Sequence, residues 1–154
     1  MENKNIVLQR MKIHQFKGIQ TLEMDFKPGE NSLYGANATG KTTIYDALLW
    51  LLFDKDSAGS SKFTVKPINA TQGVTPTVTA CFLVNGQPLK LQKTLREKWE
   101  KHRGGESRFA GDTREYYIDD VPRKETEYKR IIAQYVDETQ FRLLTNLYAF
   151  ARDT

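Results

Sequence analysis

The 154-residue chain holds a single cysteine, Cys81, so no disulfide can form within it. That suits a reducing compartment. Its two histidines, His14 and His102, are far apart and have no cysteines at ligand spacing, which argues against a zinc-type centre. No apolar run approaches the length of a membrane span, and the opening residues lack the apolar stretch and small-residue cleavage site of a secretory signal. A cytoplasmic protein without a membrane partner is expected. There is no internal repeat, no low-complexity tract and no heptad pattern. With 39% hydrophobic and 27% charged residues the chain can bury a core and falls outside the disordered class. The formal charge of +4 is compatible with nucleotide or nucleic-acid partners but selects none.

What is present begins with "GANATGKTT", residues 35–43. Gly35, Gly40, Lys41 and Thr42 satisfy G-x-x-x-x-G-K-[ST], the phosphate-cradling P-loop. A chance match in a chain of this length is expected roughly once in two hundred sequences. Glycine lets the backbone wrap closely round phosphate oxygens, so the amides from about Asn37 through Ala38, Thr39 and Gly40 to Thr42 converge on an anion. The following helix adds the partial positive charge of its N-terminus. Lys41 supplies a full charge near the β- and γ-phosphates, the Thr42 hydroxyl is placed to ligate Mg²⁺, and Thr43 is a candidate for the α-phosphate. ATP and Mg²⁺ are the implied cofactors.

The flanking pattern gives the context that the motif requires. Residues 7–16 and 21–26 alternate apolar and polar as two strands, the second showing Leu22, Met24 and Phe26 on one face. "NSLY" leads as a short strand into the loop. From Lys41 to Phe53 apolar residues recur at helical spacing and fill the other faces too, so this helix should be buried on most sides. Between Thr75 and Arg96, Asn85-Gly86 predicts a type I′ hairpin that sets Phe82 opposite Leu89 and Ala80 opposite Leu91. "REKWEKHRGGESRFAGDT" is polar and glycine-bearing, and is expected as an exposed excursion. Its basic residues are diluted by Glu97, Glu100 and Glu106, so a solvated segment is favoured over a DNA contact. "EYYIDDVPRK" reads as strand and turn, and two helical stretches follow.

With "HQFKGI" upstream, "LYGANATGKTTIYDALLWLLF" resembles the N-terminal half of the ATPase heads of the SMC, RecF and SbcC group, ABC-type ATPases of chromosome organisation and DNA repair. Gln15-Phe16-Lys17 matches that group's Asn-Phe-Arg/Lys, with Gln for Asn. Gly35, Asn37, Gly40, Lys41 and Thr42 match its G-x-N-G-x-G-K-[ST], with Ala38 in place of glycine and some strain expected there. The remainder looks like SbcC-like AAA-type ATPases. The resemblance implies an α/β fold: the N-terminal lobe, residues 1–154, of an ABC-type P-loop head, a mixed sheet with antiparallel hairpins around the P-loop helix. It places Lys17 close to the nucleotide phosphates and a Mg²⁺-sensing glutamine-type residue at Gln140 or Asn146. A Walker B acid and an "LSGG"-like signature are expected in the other half of the head, beyond a coiled coil. The implied partners are that C-terminal half, a second head engaged on ATP, DNA and an SbcD-type nuclease. Two other readings stay open: a standalone nucleotide-binding module without turnover, and a compact P-loop kinase or NTPase using Asp119 of "YYIDD". Asp-Asp before Val-Pro is ordinary turn chemistry, which favours a turn over a Walker B strand.

Overall fold

A computed structural model describes residues 6–25, 38–55 and 74–135, with side chains in the first helix from Thr43 onward. The predicted strand "NSLY" and the helical stretch from Glu138 lie outside these residues.

The described chain runs β1 (Ile6–Phe16), β2 (Ile19–Asp25), α1 (Ala38–Phe53), β3 (Thr77–Val84), β4 (Gln87–Lys101), β5 (Ser107–Ile118), β6 (Val121–Arg123) and α2 (Glu125–Tyr135). The six strands form one sheet in the order β2-β1-β3-β4-β5-β6, and each described pair is antiparallel. This is the α/β lobe with antiparallel hairpins around the P-loop helix that the sequence implies. The "NSLY" strand expected before the P-loop is not among the described residues.

Period-two alternation decides which residues meet the helices. One inward row runs Leu22, Ile13, Val78, Lys93 and Tyr116 across five strands; the next runs Met24, Met11, Ala80, Leu91 and Ile118. These rows pack against Ile44, Ala47, Leu48 and Leu51 of α1 and Tyr128 and Ile132 of α2 in one core. Every residue from Ile44 to Leu52 is buried, as the nearly unbroken apolar sequence requires.

The β3–β4 turn is the expected one: Asn85 and Gly86 adopt φ 51° and 82°, and Phe82 faces Leu89 while Ala80 faces Leu91. The polar stretch after Arg96 is the expected exposed excursion, and it takes the form of a two-stranded ribbon, with β4 continuing to Lys101 and β5 starting at Ser107. Trp99 and Phe109 pair across it with ring centroids 5.6 Å apart, and cross-strand aromatic contact of this kind stabilises a ribbon that has no third strand among the described residues. A bulge at Gly111 (φ 115°) absorbs the mismatch in strand length between Glu97 and Trp99.

Candidate functional site: the P-loop helix and the turn beside it

The tail of the P-loop motif forms the start of α1. The helix begins at Ala38, three residues before the periodic pattern suggested, so Ala38, Thr39, Gly40, Lys41 and Thr42 lie in its first turns, followed by Thr43. The loop amides and the unsatisfied amides of a helix N-terminus are therefore the same groups. Ala38 occupies a helical position, where alanine is the best helix former. No acidic residue stands in the first turn, so no carboxylate of its own neutralises the positive end of this 16-residue helix. A helix start of this kind has the donors and the charge sign that suit an anion. Gly35 and Asn37, and the candidate metal-sensing residues Gln140 and Asn146, lie outside the described residues. No group of three or more His, Cys, Asp or Glu side chains that could hold a metal occurs among the described residues.

The far end of α1 is fastened. Asp54 (φ 59°) stops the helix in a left-handed conformation, its amide donating to the Trp50 carbonyl at 3.1 Å. Lys93 Nζ donates to the same carbonyl at 2.9 Å, and the Tyr128 hydroxyl donates to the Leu51 carbonyl at 2.9 Å. Strand β4 and helix α2 thus satisfy two carbonyls of the last turn. Lys93 is 1% exposed, also bonds the Asp54 carboxylate, and lies 4.5 Å from the Trp50 ring centroid. Burial lowers its pKa from 10.5 to about 8, against the raising effect of the Asp54 hydrogen bond and charge. Sequence reading missed this residue. Its signal was a cation in an inward position of the alternation Leu89, Leu91, Lys93, Leu95.

The turn after β1 lies along α1 from Trp50 back to Asp46. Phe16 is fully buried, its ring 5.7 Å from that of Trp50. Lys17 Nζ pairs with Asp46 Oδ2 at 2.8 Å, and Asp46 lies one turn beyond Thr42. The structure therefore brings Lys17 to the P-loop helix. Gln15, which stands where the resembled group has Asn, accepts a hydrogen bond from the Thr75 amide at 2.7 Å and so ties the turn to the start of β3.

Asp119 is elsewhere. With Asp120 it forms the β5–β6 turn at φ 51° and 67°. Asp119 Oδ1 accepts from the Lys90 amide at 2.9 Å, and Asp120 pairs with Lys90 Nζ at 2.8 Å. Neighbouring Leu89 and Leu91 line a small apolar cavity with Leu52, in the last turn of α1. Thr42 is ten residues back along that helix, about 15 Å at 1.5 Å per residue. Asp119 is a turn residue, as its sequence context suggested.

Solved structures share this fold. The recombination mediator RecF in its ATP-bound form superposes with a TM-score of 0.58 at 16% identity, over 82% of this chain and 31% of that one. A chain from a study of ATP-driven dimerization and DNA-stimulated activation of SMC ATPases gives 0.57 at 14% identity, over 91% and 98%. The Smc head of Pyrococcus yayanosii gives 0.55 at 14% identity, over 92% and 30%. The class is thereby defined: this is the fold of a lobe of the RecF and SMC ATPase heads. The chain belongs to the AAA domain family, whose sequence pattern matches residues 10–147. Among curated relatives, the DNA replication and repair protein RecF of Carboxydothermus hydrogenoformans is 30% identical over 59 residues, 38% of this chain and 17% of that protein. RecF of Halalkalibacterium halodurans is 28% identical over 96 residues, 61% of this chain and 24% of that protein. The chain thus spans 17–24% of the length of these two relatives. No helix among the described residues is long and apolar enough to cross a membrane.

Proposed function

We propose that this chain is the nucleotide-binding lobe of an ATPase that works in DNA repair or chromosome processing. One observation carries the reading: the P-loop motif opens a long buried helix whose first turn holds no acid and whose last turn is capped from β4 and α2. The N-terminal amides and Lys41 bind the ATP phosphates, Thr42 holds Mg²⁺, and the clamped helix keeps them oriented. Hydrolysis belongs to the complete head, in which a Walker B acid and a signature loop from a second head complete the site. The same reading assigns ATP-driven engagement of two heads, DNA as the substrate of the assembly, an SbcC-like parent with an SbcD-type nuclease partner, and a cytoplasmic location. The compact-enzyme alternative is disfavoured by the engagement of Asp119 with Lys90 in a turn.

Titration of fluorescent ATP with Mg²⁺ into the wild-type chain and into Lys41→Ala tests the binding assignment. Saturable binding that Lys41→Ala weakens at least tenfold is expected, because a charge-assisted contact to phosphate contributes about 1.5–3 kcal/mol. Equal affinities would overturn it.

A further inference from the structure

The turn that carries Lys17 is built in an unfavourable way. Phe16 pairs with Ile19, so Lys17 and Gly18 are the two turn residues. Lys17 is the one at positive φ, 50°, while Gly18 is not among the positive-φ glycines. A left-handed backbone is uncommon for a residue with a Cβ, and glycine, which adopts it freely, stands next door. Strain of this kind persists only where the surrounding structure imposes it. Among the described residues, two contacts hold the turn in place. Phe16 is anchored on Trp50, and Lys17 is held by Asp46, a carboxylate that is 6% exposed.

The two anchors have a direction. Thr42, Asp46 and Trp50 are spaced by four and form one stripe of α1. Phe16 meets Trp50 and Lys17 meets Asp46, so the turn advances along the stripe towards the helix N-terminus. The next position is Thr42, about 6 Å further along the axis. Helical side chains lean towards the N-terminus, so the Asp46 carboxylate draws the Lys17 ammonium over the turn that holds the P-loop residues.

Resting on the nucleotide-binding reading above, the geometry points to Asp46 as a positioning residue: it holds Lys17, on its strained turn, as a second cation for the phosphates of the bound nucleotide. Lysine is a point charge on a flexible four-carbon stem, and without a fixed partner it loses its placement. Asp46 touches no phosphate in this scheme and acts only through Lys17.

A double-mutant cycle on the full chain tests it, with fluorescent Mg²⁺-ATP as probe and thermal midpoints measured in parallel. Asp46→Asn, Lys17→Gln and the double variant should each weaken ATP binding by about tenfold, the worth of one charge-assisted contact. The double variant should lose no more than either single, because one contact is removed in all three. Lys17→Arg should retain most of the affinity. Since Lys17→Gln removes a cation from the buried Asp46 and can unfold the chain, Lys17→Gly with Asp46→Asn serves as the second variant. It relieves the turn and removes the buried charge, so it should melt no lower than Asp46→Asn while still losing the tenfold. Wild-type affinity in that variant, additive losses in the cycle, or tighter binding by Asp46→Asn would each overturn the assignment. Failure of the wild type to bind ATP would overturn it together with the nucleotide-binding reading, whereas Lys41→Ala sensitivity without coupling between positions 17 and 46 would overturn the inference alone.

Discussion

Replacing Lys93 by Met should change how stability depends on pH. Lys93 stands in the middle of an apolar row, 1% exposed, between Val78 and Tyr116. Its folded pKa is about 8, against the ordinary 10.5. Between these values the unfolded chain binds the proton more than the folded one does, so this group's contribution to stability rises with pH across that window. The full effect is about 3 kcal/mol, and at pH 9.5 about 2 kcal/mol of it is developed. In a domain of this size each kcal/mol moves the melting midpoint by about 2–4 °C, so wild type should gain about 4–8 °C on Lys93→Met between pH 7 and pH 9.5. Methionine keeps the unbranched stem and its packing. Asp54 retains Arg114 at 3.4 Å. Melting both proteins side by side by circular dichroism cancels the tyrosines and carboxylates common to the two. A difference that stays flat, or that shifts in favour of Met as pH rises, would refute the view that the ammonium is buried at a net cost.

Tyr128→Phe should lower stability by about 1–2 kcal/mol in urea unfolding, because it leaves the Leu51 carbonyl at the end of α1 without its side-chain donor. Asp119→Ala should cost about 1 kcal/mol through loss of the bond to the Lys90 amide and leave ATP affinity unchanged; a large loss of ATP affinity would restore the compact-enzyme reading. Gly86→Ala should cost about 1–2 kcal/mol by thermal melting. Its φ is 82° and an added Cβ meets nothing within 4 Å, so the penalty is purely that of the backbone.

Much of this molecule is written locally. The P-loop is a run of consecutive residues, and its demand for glycine, lysine and threonine at fixed offsets comes from phosphate geometry, so it is legible without a fold. The β3–β4 register follows from Asn85-Gly86, because two residues at positive φ leave only one alignment of Phe82 with Leu89. The burial of α1 follows from a helix with no polar stripe, and Asp119-Asp120 was legible as a turn from residue type alone. Other features depend on what lies opposite. Lys93 is a surface residue by composition and a core residue by register, and its tolerance rests on the Trp50 carbonyl and Asp54, 43 and 39 residues away in the chain. The exposure of the ribbon beyond Arg96 was legible from its polar residues, but its strand pairing was not. Backbone pairing and the Trp99–Phe109 contact order it where hydrophobic burial does not. The union of Lys17 with Asp46 could not be read from either residue, since 29 positions separate them. Antiparallel pairing and the packing of Phe16 on Trp50 close that distance, because only a folded sheet can lay a strand end along a helix stripe and set a lysine on its carboxylate partner.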